Sequence, residues 1–174
     1  YSYFMVFEDR HEAGKLLAGK LEKYKNKKDV VVLAIPRGGL EVGVEIAKAL
    51  NAPLDVVISK KITPPDNPEL AIGAVCFDEV VIDETVPLPP QYRQQETDFL
   101  HKAIKDRYKK YTRGKAFPSL KGKVVILTDD GIATGYTMFA AVKFIQKQQP
   151  EKIIVAIPVA PPETIQKLKK MVQG

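Results

Sequence analysis

Val30–Ile35, VVVLAI, is a continuous and largely β-branched apolar run with no polar alternation, the pattern of a strand buried on both faces. It stops at Pro36, Gly38 and Gly39 follow, and Leu40–Leu50 returns to helical spacing, so one stretch reads strand, glycine turn, helix. Strand followed by helix recurs twice. Lys123–Leu127 precedes a helix over Thr134–Gln148 with apolar Met138, Ala141, Val142 and Ile145. Lys152–Ile157, ended by Pro158, precedes a helix over Glu163–Met171 with Pro161 and Pro162 near its start. Leu54–Ser59, reached through the turn signal Asn51–Pro53, adds a further buried strand. Strands alternating with helices at this spacing predict an α/β fold: a doubly wound parallel sheet of at least four strands, with right-handed crossovers and helices on both faces.

The intervening segments are of other kinds. From Asp9 to about Lys25, Ala13, Leu16, Leu17 and Leu21 recur among charges and predict a surface amphipathic helix that Asp9 can cap. Residues 60–70, KKITPPDNPEL, hold three prolines and read as a loop without regular structure. Ala71–Phe77 and Val80–Asp83 have strand composition around Asp78 and Glu79 and read as a flexible flap, a short hairpin or an extended loop. Gln91–Tyr111 predicts a long polar helix with few apolar anchors, Phe99, Leu100, Ile104 and Tyr108. So narrow a stripe is suited to one half of a homodimer contact. One domain over residues 1–174 is expected, short of a C-terminal segment because a doubly wound sheet often adds another edge strand after such a helix.

Composition narrows the function classes. A chain of 174 residues with 45% hydrophobic content can bury one sizeable core. Its apolar runs fall far short of the roughly 20 residues of a membrane span, and no basic-then-apolar leader opens it, so a soluble, cytoplasmic protein without a membrane partner is expected. Cys76 is the sole cysteine, which excludes an internal disulfide framework and a cysteine-only metal cluster; it reads as a buried inert thiol. The net charge of +6 favours phosphorylated ligands. Nucleic acid is disfavoured, because many lysines fall on helical faces and no aromatic-interleaved basic stripe is present.

In open α/β sheets ligands bind beyond the carboxyl ends of the parallel strands, so the turns after the buried runs are where a site belongs. Val124–Thr137, VVILTDDGIATGYT, carries the most specific signal. Gly131 and Gly135 permit unusual backbone angles and close approach of amides to a ligand, and Thr134 and Thr137 add hydroxyl donors. The helix start beyond them offers unpaired N–H groups and the positive dipole end, a setting for a phosphate dianion. Asp129 and Asp130 can accept hydrogen bonds from vicinal hydroxyls or hold Mg²⁺. A simple helix cap needs one carboxylate, not two with paired glycines. A phosphorylated sugar satisfies the whole set.

An apolar strand, two acidic residues, a short spacer and then TGxT resembles the signature of the type I phosphoribosyltransferases, which bind 5-phosphoribosyl-1-pyrophosphate. IPRGG, PELAIGAV, DDGIATGYT and PVAPPET resemble an uncharacterised branch of that family from about Phe7 to the last helix. Thr128 stands where the strand's last residue is usually apolar. The resemblance implies that Gly131, Ala133, Thr134, Gly135 and Thr137 hold the 5-phosphate, with Ile132 and Tyr136 in the same substrate-binding turn. It implies that Asp129 and Asp130 address the ribose hydroxyls. It implies further that Pro36, Arg37, Gly38 and Gly39 form the pyrophosphate turn, whose peptide in the family is often strained, and that a basic residue of a mobile loop, Lys60 or Lys61, neutralises the leaving pyrophosphate.

The residues themselves allow Arg37 two phosphate oxygens through its guanidinium fork, or a surface ion pair. A lysine pair such as Lys60 and Lys61 can equally be solvated. Pro158–Pro162 carries no charge before Glu163 and reads as a wall. His11 and His101 read as exposed surface histidines, and no histidine or cysteine cage calls for a protein-held metal; the only cofactor expected is Mg²⁺ carried in with the pyrophosphate. The expected activity is phosphoribosyl transfer to a nitrogenous base, with Arg37, Lys60, Lys61, Asp129 and Asp130 as the catalytic set. A regulator that binds a ribose phosphate or nucleotide without turnover is the alternative. A dinucleotide-binding domain is disfavoured, since no GxGxxG follows the first strand.

Overall fold

The computed structural model describes residues 10–132 and 134–173. Asp9, the expected cap of the first helix, and Ala133 of the glycine turn lie outside the described residues, as does the side chain of His11. Helix α1, Arg10–Lys20, passes through a short 3₁₀ turn at Glu22–Tyr24 to β1, Val30–Ala34. Helix α2, Gly38–Leu50, and β2, Leu54–Val56, follow. Three short strands come next, β3, Ser59–Ile62, β4, Gly73–Cys76, and β5, Glu79–Ile82, and then the long α3, Pro90–Thr112. The chain closes with β6, Val124–Thr128, α4, Tyr136–Lys147, β7, Lys152–Ala156, and α5, Pro162–Gln173.

The strands form two sheets. One is four-stranded with the order β2-β1-β6-β7, and all its pairings are parallel, as an α/β fold requires. The other is β3-β4-β5, paired antiparallel. The chain divides into two compact units: one of the chain up to Val57, Ser119–Ala133 and Ile145 onward, the other of Ile58–Pro118 and Thr134–Phe144.

In the first unit every residue of β1 and β6 is buried, which accounts for the apolar runs Val30–Ala34 and Val124–Leu127. Val42, Ile46 and Leu50 of α2 meet Val30 and Val32 of β1, Ile126 of β6, Ile154 of β7 and Leu17 of α1 in one core cluster. Each such side chain taken from water contributes about 1.5–3 kcal/mol. Helix α2 ends at Asn51, whose left-handed backbone (φ 53°) turns the chain toward β2.

Several expectations are corrected. Leu54–Ser59 is not one strand: the last ladder contact to the parallel sheet is Val57 N–H donating to the Ala34 carbonyl at 3.0 Å, after which Ser59 starts β3 of the other sheet. Residues 60–70 are not wholly irregular, because Pro64, Pro65 and Pro68 all lie downstream of Ile62 and leave Lys60–Ile62 free to pair with Gly73–Val75. Of the readings open for Ala71–Asp83, the short hairpin is the one found: β4 and β5 pair antiparallel, and β3 adds to β4. Phe99 is 67% exposed rather than an anchor of α3. The buried positions of α3 are Leu100, Ile104 and Tyr108, at four-residue spacing, and Phe99 lies one residue off that stripe.

Candidate functional site

The β1-α2 turn is short and tightly held. Ile35 N–H donates to the Thr128 carbonyl at 3.0 Å, tying the end of β1 to the end of β6, and Gly39 N–H donates to the Ile35 carbonyl at 3.1 Å. The Pro36–Arg37 peptide is cis. Arg37 is exposed and no described residue forms an ion pair with it. A Cβ on Gly38 would fall on the Asp130 carboxylate, and one on Gly39 would stand 3.1 Å from both the Asp129 Cα and the Thr128 carbonyl oxygen. The two glycines thus pack against the neighbouring strand end, Gly38 against the Asp130 side chain and Gly39 against the backbone of Thr128 and Asp129.

That pair follows β6 directly. Thr128 is fully buried, and its hydroxyl donates to the Ala156 carbonyl of β7 at 2.7 Å, so a polar residue at this apolar position is satisfied. Asp129 Oδ1 accepts from Asp130 N–H at 2.7 Å. Burial, reinforced by the neighbouring Asp130 carboxyl, pushes Asp129 up to about 8. Asp130 faces a cation instead: Arg10 Nη2 is 2.9 Å and Arg10 Nε 3.0 Å from Asp130 Oδ2. The two carboxyls are thus differentiated, one held toward its protonated form and one ion-paired.

Beyond them Ile132 N–H donates to the Val159 carbonyl at 3.0 Å, fastening the turn to the proline-rich loop after β7. Gly131 does not adopt a positive φ, contrary to expectation, and an added Cβ would meet only that carbonyl, at 3.6 Å. Gly135 does, at φ 92°, and is buried. Its carbonyl accepts Phe139 N–H at 2.8 Å to open α4, whose first amides have no intrahelical partner. Thr134 is exposed; Tyr136 and Thr137 are half-buried.

The second unit contains both candidate lysines on β3. Ser59 Oγ donates to the Thr137 carbonyl at 2.8 Å, so this face of the strand looks onto the first turn of α4. Lys143 farther along α4 lies 3.7 Å from Glu79, whose row across the sheet is Ser59–Cys76–Glu79. Alternation puts Lys61 on the Ser59 face and Lys60 on the opposite one with Ile62. Lys61 is exposed and Lys60 half-buried. Cys76 is buried as expected, and its burial, followed by Asp78 and Glu79, raises its pKa well above the usual thiol range. His101 is not a free surface histidine: it is half-buried, and its Nδ1–H donates to the Phe77 carbonyl. Phe77, Tyr108, Phe117 and Phe144 enclose that corner with ring centroids 4.7–5.7 Å apart.

Residues 8–173 match the sequence profile of the phosphoribosyl transferase domain. The chain belongs to the phosphoribosyltransferase family. A Mycobacterium tuberculosis protein provisionally named a phosphoribosyl transferase is 36% identical over 165 residues, 92% of this chain and 37% of the relative. The chain therefore spans little more than a third of the length of that relative. The crystal structure of TT1426 from Thermus thermophilus is 38% identical and superimposes with a TM-score of 0.76 over 95% of this chain and 81% of that one. A purine phosphoribosyltransferase from Pyrococcus horikoshii shares the fold, with a TM-score of 0.54 at 23% identity over 94% of this chain and 80% of its own. No helix among the described residues is long and apolar enough to cross a membrane.

Within the family frame, the strand-end turns that the sequence singled out in the first unit, Pro36–Gly39 and Asp129–Ile132, sit on adjacent parallel strands in register. The second unit separately brings Ser59 and the first turn of α4 together. Sequence reasoning missed Arg10, which reaches Asp130 across 120 residues of chain; its place at a helix start among other charges offered no cue. Among the described residues no group of three or more His, Cys, Asp or Glu is arranged to hold a metal ion.

Proposed function

We propose that the chain transfers a phosphoribosyl group from 5-phosphoribosyl-1-pyrophosphate to a nitrogenous base. The observation that carries this reading is the packing of the Gly38–Gly39 turn against Asp129 and Asp130 at the carboxyl ends of neighbouring strands. Amides suited to phosphates and carboxylates suited to hydroxyls thereby meet where α/β sheets bind ligands. In the reaction the bond from the anomeric carbon to pyrophosphate breaks and the leaving group keeps the electron pair. A nitrogen lone pair forms the new bond, and the proton carried on that nitrogen passes to water or to the released pyrophosphate. Positive charge on the sugar ring is transient, so no protein nucleophile is needed.

Each residue then has a role in positioning or in charge neutralisation. Gly131, Ile132 and Ala133, with Thr134, Gly135, Tyr136 and Thr137 at the start of α4, take the 5-phosphate. Asp129 and Asp130 take the ribose hydroxyls; a carboxyl held toward neutrality can donate as well as accept, which suits Asp129 to a hydroxyl. Pro36, Arg37, Gly38 and Gly39 take the pyrophosphate, and Lys61, on the face of β3 that looks onto α4, serves as the additional cation in preference to Lys60. Mg²⁺ carried with the pyrophosphate would supply further neutralisation of its charge. The Asp130 carboxylate is an oxygen donor of the kind Mg²⁺ prefers, and an ion carried by the substrate would keep most of its shell from pyrophosphate and water.

Calorimetry with Mg²⁺ and phosphoribosyl pyrophosphate tests the reading. Binding by the parent that Asp130→Asn weakens supports it; absence of binding, with Asp130→Asn indistinguishable, refutes it. Tight binding without pyrophosphate release over a panel of bases would favour the regulator.

A further inference from the structure

We propose that Arg10 is a pyrophosphate ligand that exchanges partners during binding, giving up Asp130 to the ribose hydroxyls while its guanidinium passes to pyrophosphate oxygens. This rests on the phosphoribosyl reading and adds to it a residue outside the signature turns. Arg10 places Nε and Nη2 on the same oxygen, Asp130 Oδ2, at 3.0 and 2.9 Å. A ribose diol seeking Asp130 competes for that oxygen. The guanidinium has somewhere to go. Its Nε stands 3.0 Å from where a Cβ on Gly38 would be, so the cation already lies against the glycine turn at the start of α2, where backbone amides and the helix dipole favour an anion.

The pair is also easy to break. The side chains of Arg10 and Asp130 are 51% and 34% exposed, and Glu41 is a distant second partner at 3.9 Å. Solvent-screened pairs of this kind hold weakly, whereas the planar fork of arginine matches two phosphate oxygens. Exchange therefore replaces a screened carboxylate contact with a charge-assisted phosphate contact, and frees Asp130 in the same movement. A purely structural clamp between α1 and the end of β6 would give Arg10 no preference among ligands.

The test is calorimetry of the intact chain and of Arg10→Ala and Arg10→Gln, with three probes in Mg²⁺: phosphoribosyl pyrophosphate, inorganic pyrophosphate and ribose 5-phosphate. Both variants should lose on the order of ten- to a hundred-fold in affinity for the two pyrophosphate probes, the worth of one or two charge-assisted hydrogen bonds. Ribose 5-phosphate should bind as well as to the parent, or more tightly, because Asp130 no longer has a competitor. Unchanged affinity for all three probes, or an equal loss for all three, overturns the role of Arg10 while leaving the phosphoribosyl reading intact. Failure of the parent to bind any probe overturns both. Arg10→Gln keeps most of the side-chain length, so a loss seen only with Arg10→Ala assigns the effect to packing and also overturns the proposal.

Discussion

The carboxylate of Asp130 occupies the space that a side chain on Gly38 would need. One residue belongs to the turn after β1 and the other to the turn after β6, so two motifs far apart in sequence are fitted to one another. Gly38→Ala should push Asp130, and with it Arg10, out of place. The atoms in the way are the ends of the partly exposed Asp130 and Arg10 side chains, which can swing aside, so the expected cost in stability is under about 1 kcal/mol, offset in part by the better helix propensity of alanine. Gly131→Ala is the control, since its Cβ would meet only the Val159 carbonyl at 3.6 Å. Thermal melts of the two variants should therefore lie close together; a Gly38→Ala melt far below that of Gly131→Ala would mean that the Asp130 carboxylate cannot move aside.

The proton held by Asp129 predicts a pH dependence of stability. Its carboxyl is pushed up to about 8 from 3.8, so between those values the folded chain binds a proton that the unfolded chain has released. The native state therefore loses stability as pH rises through that window, and the loss is complete above about 8. Asp129→Asn keeps an oxygen to accept Asp130 N–H and removes the titration. Its melting temperature relative to the parent should rise steadily from pH 5 to pH 8; a constant offset would contradict the shift.

Strand pleating separates the two lysines of β3. Lys61 shares the face of Ser59, whose hydroxyl bonds the Thr137 carbonyl at the start of α4, and Lys60 shares the opposite face with Ile62. In steady-state assays Lys61→Ala should lower kcat/KM for phosphoribosyl pyrophosphate on the order of ten-fold or more, as loss of a phosphate-facing cation does. Lys60→Ala should change it little. The reverse ranking would place the acting lysine on the other face.

Thr128 offers a test of stability alone, because its hydroxyl is turned to β7. Its buried hydroxyl donates to the Ala156 carbonyl at 2.7 Å. Thr128→Val preserves shape and removes the donor, and should cost about 1–3 kcal/mol. Thr128→Ser keeps the donor. If denaturant titration finds the valine variant as stable as the parent, the hydrogen bond contributes nothing net.

Much of this was legible in the sequence because β1 and β6 are buried along their length and β7 at all but Lys152, so that their residues are apolar except Lys152 and Thr128, and because a glycine at φ 92° such as Gly135 leaves few alternatives. The turns after β1 and β6 could be located for the same reason, since they interrupt such runs. What was not legible depends on contacts across long sequence separation. That Gly38 and Gly39 pack against Asp130 and Asp129, that Thr128 has an acceptor in Ala156, and that Arg10 reaches Asp130 are all pairings no local pattern encodes. The three prolines after Ile62 misled by proximity, masking a strand that ends just before them. His101 looked exposed on a polar helix because its partner, the Phe77 carbonyl, is a backbone group of the hairpin.

The most direct test of the central claim is release of pyrophosphate from phosphoribosyl pyrophosphate by the intact chain, with Mg²⁺ and a panel of purine, pyrimidine and pyridine bases. Base-dependent release with at least one acceptor is expected, lost when Mg²⁺ is chelated and strongly reduced in Asp130→Asn. Release from no member of the panel, together with no detectable binding of phosphoribosyl pyrophosphate, would contradict it.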